Sequence, residues 1–274
     1  MTRKLNFGCG ARYAQGWDNV DFYSAGPDVQ RVNLLRGLPY ADNTFDAVYS
    51  SHVLEHFTNA QCSDVLGECW RVSKPGGIIR VVVPDIALSI EEYYRIRGIP
   101  DEDPLKARKY RWIMIELLDQ LVRTERHGEW GRTLKELDLT DWRPVAGYIR
   151  ERLGMAGTLA PGPVRPTILG KLAGLRQKVA SRSIYWWLSG VKLLIPQSLR
   201  PLVFVNTSLG ERHLWMYDEY GMRLKLAEAG FVNVRCVSHD DSAINGFADD
   251  HLDSNSDGSP YKSLSLYMEA SRPL

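Results

Sequence analysis

Three groups of residues in this 274-residue chain have types and spacings suited to chemistry. The first is Gly8-x-Gly10 followed by Asp21. A glycine-rich strand-to-helix turn lets backbone amides approach a ligand that a Cβ would exclude. A carboxylate at the tip of the next strand can accept both hydroxyls of a ribose. The second group is His52, Asp85, His213 and Tyr217. His52 and Asp85 fall at strand ends, while His213 and Tyr217 lie where the chain returns to the sheet. His52, Asp85 and His213 are the candidate general bases, and Asp85, His213 and Tyr217 the candidates for contacting an acceptor.

The third group resembles metal sites. His52-Val53-Leu54-Glu55-His56 spells H-x-x-E-H, a zinc-peptidase pattern that belongs inside a helix and needs a third ligand downstream. Here it follows a strand, so Glu55 and His56 are expected to brace the helix packing behind the site. Asp253-Ser254-Asn255-Ser256-Asp257-Gly258 opens like a calcium loop, but position 12 is Leu264 rather than a bidentate Glu, so a polar turn is expected. Asp85 could ligate a divalent ion that replaces the base. No ligand cluster accompanies it, and no metal is expected.

The elements that must position these groups alternate over the first 85 residues between strand and helix signals, the pattern of a parallel sheet. Strand one runs to Phe7, strand two is Asp18 to Asp21, strand three spans Asp28 to Leu34, and strand four Phe45 to Ser50. Thr58-Asn59-Ala60-Gln61 has the form of a capping box, and Val65, Leu66, Cys69 and Val72 give the helix behind it an apolar stripe. Ile78 to Val83 is an apolar β-branched run suited to a strand buried on both faces. From Ala87 to Leu209 only helical patterns and loops are visible. One is a helix over Leu105 to Val122, with Trp112, Ile115, Leu118 and Val122 assigned to one face. Asp218 caps a further helix that stops at Gly230, Phe231 to Val237 is strand six, and Leu264 to Ala270 the last. The acidic, Ser-rich stretch from Asp249 to Ser259 is expected to be a solvated loop. The fold class is therefore α/β, a doubly wound, seven-stranded, mostly parallel sheet built from residues 1–86 and 210–274, with a helical insertion over 87–209.

Composition excludes several classes. With 44% hydrophobic and 24% charged residues the chain is ordinary for a globular protein, and a formal net charge of +1 points to no partner. Cys9, Cys62, Cys69 and Cys236 form no CxxC pair, which fits reduced thiols in a cytoplasmic protein. No signal peptide is visible, and no uncharged apolar run reaches the ~18–20 residues of a spanning helix. The charge is uneven, however: between Glu151 and Glu211 there are eight Lys or Arg and no acid. That span also holds the apolar clusters around Trp186-Trp187 and Val191 to Ile195. Cations beside Trp and Leu suit an anionic membrane surface, so residues 165–205 are expected either to touch one peripherally at its inner face or to form a plain cap. Nucleic acid is not expected, because no RNA-binding module accompanies the basic stretch.

Gly10 and Asp21 are closer than the ~20 residues that a NAD-binding turn uses, and no third glycine follows at position 13. A pyrophosphate would lack a proper helix N-terminus. A nucleoside cofactor without phosphate would not miss it.

Several segments together carry a resemblance: Asn6-Phe7-Gly8-Cys9-Gly10, Asn19-Val20-Asp21, Leu38 to Asp46, Ser51-His52-Val53-Leu54-Glu55-His56, Trp70 to Gly77, Gly230-Phe231-x-x-Val234 and Ser265 to Ala270. The chain resembles the S-adenosylmethionine (SAM) dependent class I methyltransferase superfamily over residues 4–90 and 210–272. Within it the chain is most similar to the branch associated with bacterial polysaccharide and glycolipid biosynthesis. The resemblance implies a Rossmann-like methyltransferase fold with SAM as cofactor. Gly8 and Gly10 would line its methionine and ribose, Asp21 would hold the ribose hydroxyls, Asn33 and Leu34 would flank the adenine, and Ser51 and His52 would sit by the methionine end. Asn6 stands where the superfamily often has Asp or Glu, although an amide oxygen can still accept from the methionine ammonium.

The expected activity is O-methylation of a sugar or glycan hydroxyl, lipid-linked or free, by in-line displacement assisted by a base. The alternatives are a small-molecule or lipid methyltransferase, a NAD-dependent sugar-modifying oxidoreductase, and a degenerate fold that binds SAM without catalysis. The absence of a Y-x-x-x-K dyad counts against the short-chain oxidoreductase.

Overall fold

The computed structural model describes residues 2–23, 26–139, 141–155, 194–196, 207 and 210–274. Seven strands form one sheet: β1 (Lys4–Phe7), β2 (Asp18–Asp21), β3 (Val29–Arg31), β4 (Phe45–Ser51), β5 (Ser73–Pro84), β6 (Val232–Val237) and β7 (Ser265–Ser271). Their order is β3-β2-β1-β4-β5-β7-β6, with β7 antiparallel to both neighbours and the remaining pairs parallel. This is the doubly wound, mostly parallel sheet expected, with flanking helices. Strand three is shorter than its apolar pattern suggested, because the side chain of Asn33 caps a 3₁₀ turn, Leu34–Arg36, and ends the extended run.

Both faces of the sheet are covered. On one side α1 (Asn59–Val72) and α6 (Glu219–Glu228) place Cys62, Leu66, Met222 and Leu226 against Leu5, Val48, Ile79 and Met268. The capping box at the start of α1 is closed in both directions: Thr58 Oγ1 accepts from the Gln61 amide, and Gln61 Oε1 from the Thr58 amide. On the other side Trp17, Tyr49, Phe247 and Tyr267 pack together. Beneath that layer lies the Arg80 guanidinium, with no exposed surface. It donates to Asp253 at 2.7 Å and to Glu269 at 3.0 Å and faces the ring of Phe247. The acidic stretch near the C-terminus is thus not uniformly solvated. Asp253 is buried, and Tyr49 donates to its other oxygen, so it is the counter-ion of Arg80 rather than the first ligand of a cation loop.

After β5 the chain enters α2 (Ile86–Arg97), α3 (Lys106–Val122), α4 (Gly128–Glu136) and α5 (Ala146–Arg152). The last three share a cluster around Trp112, Trp142, Val145 and Ile149, and α2 joins them where Ser89 donates to Glu116 and Tyr148 to Glu92. The buried face of α3 carries Trp112, Ile115, Glu116 and Asp119, while Leu118 and Val122 are exposed. At 3.6 residues per turn Leu118 lies about 240° round the helix from Trp112, so the two cannot share a face. The acidic members of that face are paired instead: Glu116 accepts from Ser89, Trp112 and Arg152, and Asp119 from Arg123. The basic segment expected to meet a membrane or cap the site, including Trp186 and Trp187, lies outside the described residues. Among those described, no helix is long and apolar enough to cross a membrane.

Candidate active site

The strands β1, β2, β4 and β5 end at one rim, and β1 and β4 are neighbours from which the chain winds in opposite directions. Open α/β sheets bind ligands in the crevice at such a point. No helix separates β1 from β2 here. The chain turns on Gly8 and Gly10, both at positive φ, where the Gly8 amide donates to Val20 and the Gly10 amide to the Asp21 carboxylate at 2.9 Å. Gly8 is required sterically, because a Cβ there would fall 2.3 Å from a methyl of Val53. A Cβ at Gly10 would meet nothing within 4 Å and would project into open space.

Three cavities meet at this rim. The first, about 440 Å³, is lined by Asp21, Asn33, Leu34, Val53 and Phe57 among others, and has an apolar wall facing the Asp21 carboxylate. The Asp21 oxygens accept from the Gly10 and Tyr23 amides, which fixes the carboxylate at the mouth of that cavity. The second cavity, about 260 Å³, lies over the glycine turn and is lined by Asn6, Gly10, Ser51 and Lys262. Here the Asn6 amide nitrogen donates to Asn19 and Arg12 while its buried oxygen has no partner. An orphaned acceptor beside a glycine cradle fits an incoming ammonium group. The third cavity, about 240 Å³, lies toward the helical layer and is lined by Asp85, Glu116, Gln120, His213, Lys262 and Ser265 among others.

His52 lines all three. It sits directly after β4 in the left-handed region at φ 55°, an uncommon conformation for a non-glycine residue that persists where the surrounding structure holds it. Its amide donates to Val82, its Nε2 is 2.9 Å from Ser265 Oγ, and its Nδ1 is 3.5 Å from Glu55 Oε1. Burial, reinforced by Lys262, His213 and His56, holds the imidazole well below its ordinary pKa, so it is neutral at physiological pH.

The other expected residues separate. Asp85 borders the third cavity but also caps α2, accepting from the Ala87 amide at 2.9 Å; burial raises its pKa. His213 borders the same cavity with its Nε2 2.9 Å from Gln120 Nε2, and burial pushes its pKa down to about 3. Tyr217 does not reach the site. Its backbone bridges Asp85, but its side chain is buried in the core beside Cys62 and borders none of the three cavities. Its aromatic bulk completes the packing of α1 and α6, which is why it points inward.

Sequence reasoning missed Lys262, Ser265, Glu116 and Gln120, which no local pattern singles out. It also missed a cluster. Glu55, His56 and His213 each offer a ligand atom within 4.8 Å of the others. The H-x-x-E-H pattern divides: His52 turns to the cavities, while Leu54–His56 form a 3₁₀ turn rather than part of a long helix.

Residues 6–81 match the family described as a methyltransferase domain. That stretch contains both glycines, Asp21 and His52. No curated protein matches the chain. Among solved structures it is similar to the [4+2]-cyclase SpnF, at 24% identity over 30% of this chain and 38% of that one, TM-score 0.26. It is similar to the CurJ carbon methyltransferase at 11% identity over 100% and 49%, TM-score 0.38. It is also similar to a SAM dependent methyltransferase from Archaeoglobus fulgidus at 20% identity over 41% and 60%, TM-score 0.28. The chain spans less than two thirds of the length of each of these. Residues 6–81 thus match a methyltransferase domain, and the mostly parallel seven-stranded sheet they help to form is the fold expected for one.

Proposed function

We propose that this protein is a SAM-dependent O-methyltransferase whose acceptor is a hydroxyl of a sugar or glycan. The observation that carries this reading is the third cavity. It is lined by Asp85, Ser89, Glu116, Gln120, His213 and Lys262, donors and acceptors suited to a polyhydroxylated ligand, and it meets the other two cavities at His52.

In this reading Asp21 accepts the ribose hydroxyls, Asn33 and Leu34 flank the adenine, and the Asn6 oxygen and Ser51 attend the methionine end above Gly8 and Gly10. Bound SAM supplies an electrophilic methyl group on a sulfonium. The protein must then hold the acceptor oxygen in line with that group, and such positioning is worth up to about 7–11 kcal/mol. His52 is the assigned base, since it is neutral and stands where the cavities join. Its Nε2 reaches the acceptor side through Ser265 Oγ. Asp85 and His213 orient the acceptor, each already engaged by a protein partner.

The test is calorimetry against SAM, S-adenosylhomocysteine and NAD, followed by transfer of labelled methyl to nucleotide-linked sugars and oligosaccharides. SAM and its product should bind, NAD should not, and label should appear as a methyl ether. NAD binding without SAM binding would sink the reading, and label on carbon or nitrogen would sink its acceptor half.

A further inference from the structure

We propose that Glu55, His56 and His213 form a binding site for one divalent transition-metal cation. The ligand atoms lie within 4.8 Å of one another. A cation about 2.1 Å from each donor needs them within about 4.2 Å, a closure that small rotations of the side chains supply. Two imidazoles and one carboxylate suit Zn²⁺, Co²⁺ or Mn²⁺ better than Ca²⁺ or Mg²⁺.

The independent observation is the state of Glu55. Its side chain is 1% exposed, yet neither carboxylate oxygen has a hydrogen-bond partner. A buried carboxylate left unpaired is expensive, and proteins pair such groups or use them to coordinate metals. The cationic residues facing the cluster are Lys262 and Arg123. Among the described residues, neither forms an ion pair with Glu55 within 4.0 Å, and Arg123 is committed to Asp119. His52 and His56 approach the same Glu55 oxygen at 3.5 and 3.9 Å.

His56 is held as a ligating histidine usually is. His56 Nδ1 lies 2.8 Å from the Arg212 carbonyl, to which it can only donate. Its Nε2 therefore keeps a lone pair on the side of Glu55, the arrangement by which a carbonyl fixes the tautomer of a ligating histidine. Gln120 engages His213 Nε2. As placed, the Gln120 amide nitrogen donates to it and the ring proton sits on Nδ1, so the Gln120 amide must turn its oxygen to Nε2 before His213 Nδ1 can ligate. The backbone locks the cluster together: the Leu214 amide donates to the Glu55 carbonyl at 2.7 Å, and the His213 amide to Gln120 at 3.0 Å.

His56 borders the first cavity and His213 the third, so a cation here lies beside their junction. There it would lower the pKa of an acceptor hydroxyl and orient it toward the donor. This role rests on the methyltransferase reading; the site itself does not.

The test uses the full chain, stripped with chelator and titrated with Co²⁺, followed by Zn²⁺ competition. Visible d–d absorption should saturate at one equivalent and be displaced by Zn²⁺. Glu55→Gln and His213→Gln should each weaken Co²⁺ binding by at least about tenfold. Burial pushes the Glu55 pKa up to about 8, so the neutral, isosteric Glu55→Gln should be at least as heat-stable as the stripped parent, and loss of metal there cannot be ascribed to unfolding. Absence of a saturating band in the parent, or unchanged affinity in both variants, overturns the site. SAM calorimetry on the same preparations reads the cofactor assignment separately, so either can fail alone.

Discussion

His52 combines a left-handed backbone, a depressed pKa and contact with every cavity at the rim. Asparagine tolerates the same backbone region but is no base. His52→Asn is therefore expected to fold and to bind SAM within a few-fold of the parent, while kcat falls by roughly 10²–10⁴. Equal kcat in single-turnover assays would remove His52 from proton transfer. Asp21 offers a sharper equilibrium test. Asp21→Ala leaves ribose hydroxyls unpaired at the mouth of the first cavity, which costs about 1–3 kcal/mol of SAM affinity. It also frees the Gly10 and Tyr23 amides, so the melting temperature must be read beside the calorimetry. Undiminished affinity in a folded variant excludes the ribose assignment.

At the scale of elements, α2 decides how Asp85 should be understood. The strand β5 ends at Pro84, and the next side chain satisfies the first turn of the helix that begins at Ile86. Asn caps a helix about as well as Asp, whereas Ala does not. Asp85→Asn should thus keep its stability within about 0.5 kcal/mol of the parent, while Asp85→Ala loses about 1 kcal/mol in denaturant titrations. If Asp85 also orients the acceptor through its charge, acceptor KM rises in the Asn variant although stability holds. An unchanged KM in that variant makes Asp85 a cap alone.

For the whole molecule, the Arg80 centre ties β5 to β7 and to the C-terminal loop, since its guanidinium reaches Asp253, Glu269 and the carbonyls of Ser238 and Asp241. Breaking such a buried pair strands its carboxylates, so Arg80→Met should lose about 3–5 kcal/mol in chemical denaturation. Burial alone would raise the Glu269 pKa, but hydrogen bonds from Ser242, the Ala243 amide, Arg235 and Arg80 outweigh it and bring it below the ordinary value. Its contribution to stability is therefore complete above the unfolded-state pKa of about 4.3 and is lost as pH falls through the lower folded value. Denaturation midpoints measured from neutral pH downward should fall in that acid range, and less steeply in Glu269→Gln. The acid-free segment 165–205 gives a further expectation from its composition. With about 1 kcal/mol per cation near an anionic surface, it should co-sediment with anionic vesicles at low salt. Equal binding to neutral vesicles would exclude that contact.

The sequence alone determined what depends on neighbours along the chain. The capping box at Thr58 and the cap at Asp218 were legible because each is closed by a residue three positions on, and the break at Gly8 and the tip at Asp21 because they close on each other's turn within about a dozen positions. The doubly wound sheet followed, since short alternating elements leave few ways to pack. Tertiary structure decided which polar groups face one another. It turned Tyr217 into the core, buried Asp253 under Arg80, brought Lys262 to the rim and set His213 beside Glu55 and His56. Those partners are distant in sequence, and no periodicity encodes the meeting of two loops. Their proximity is fixed by the packing of the sheet and helices that carry them, and it exists only once that core has formed.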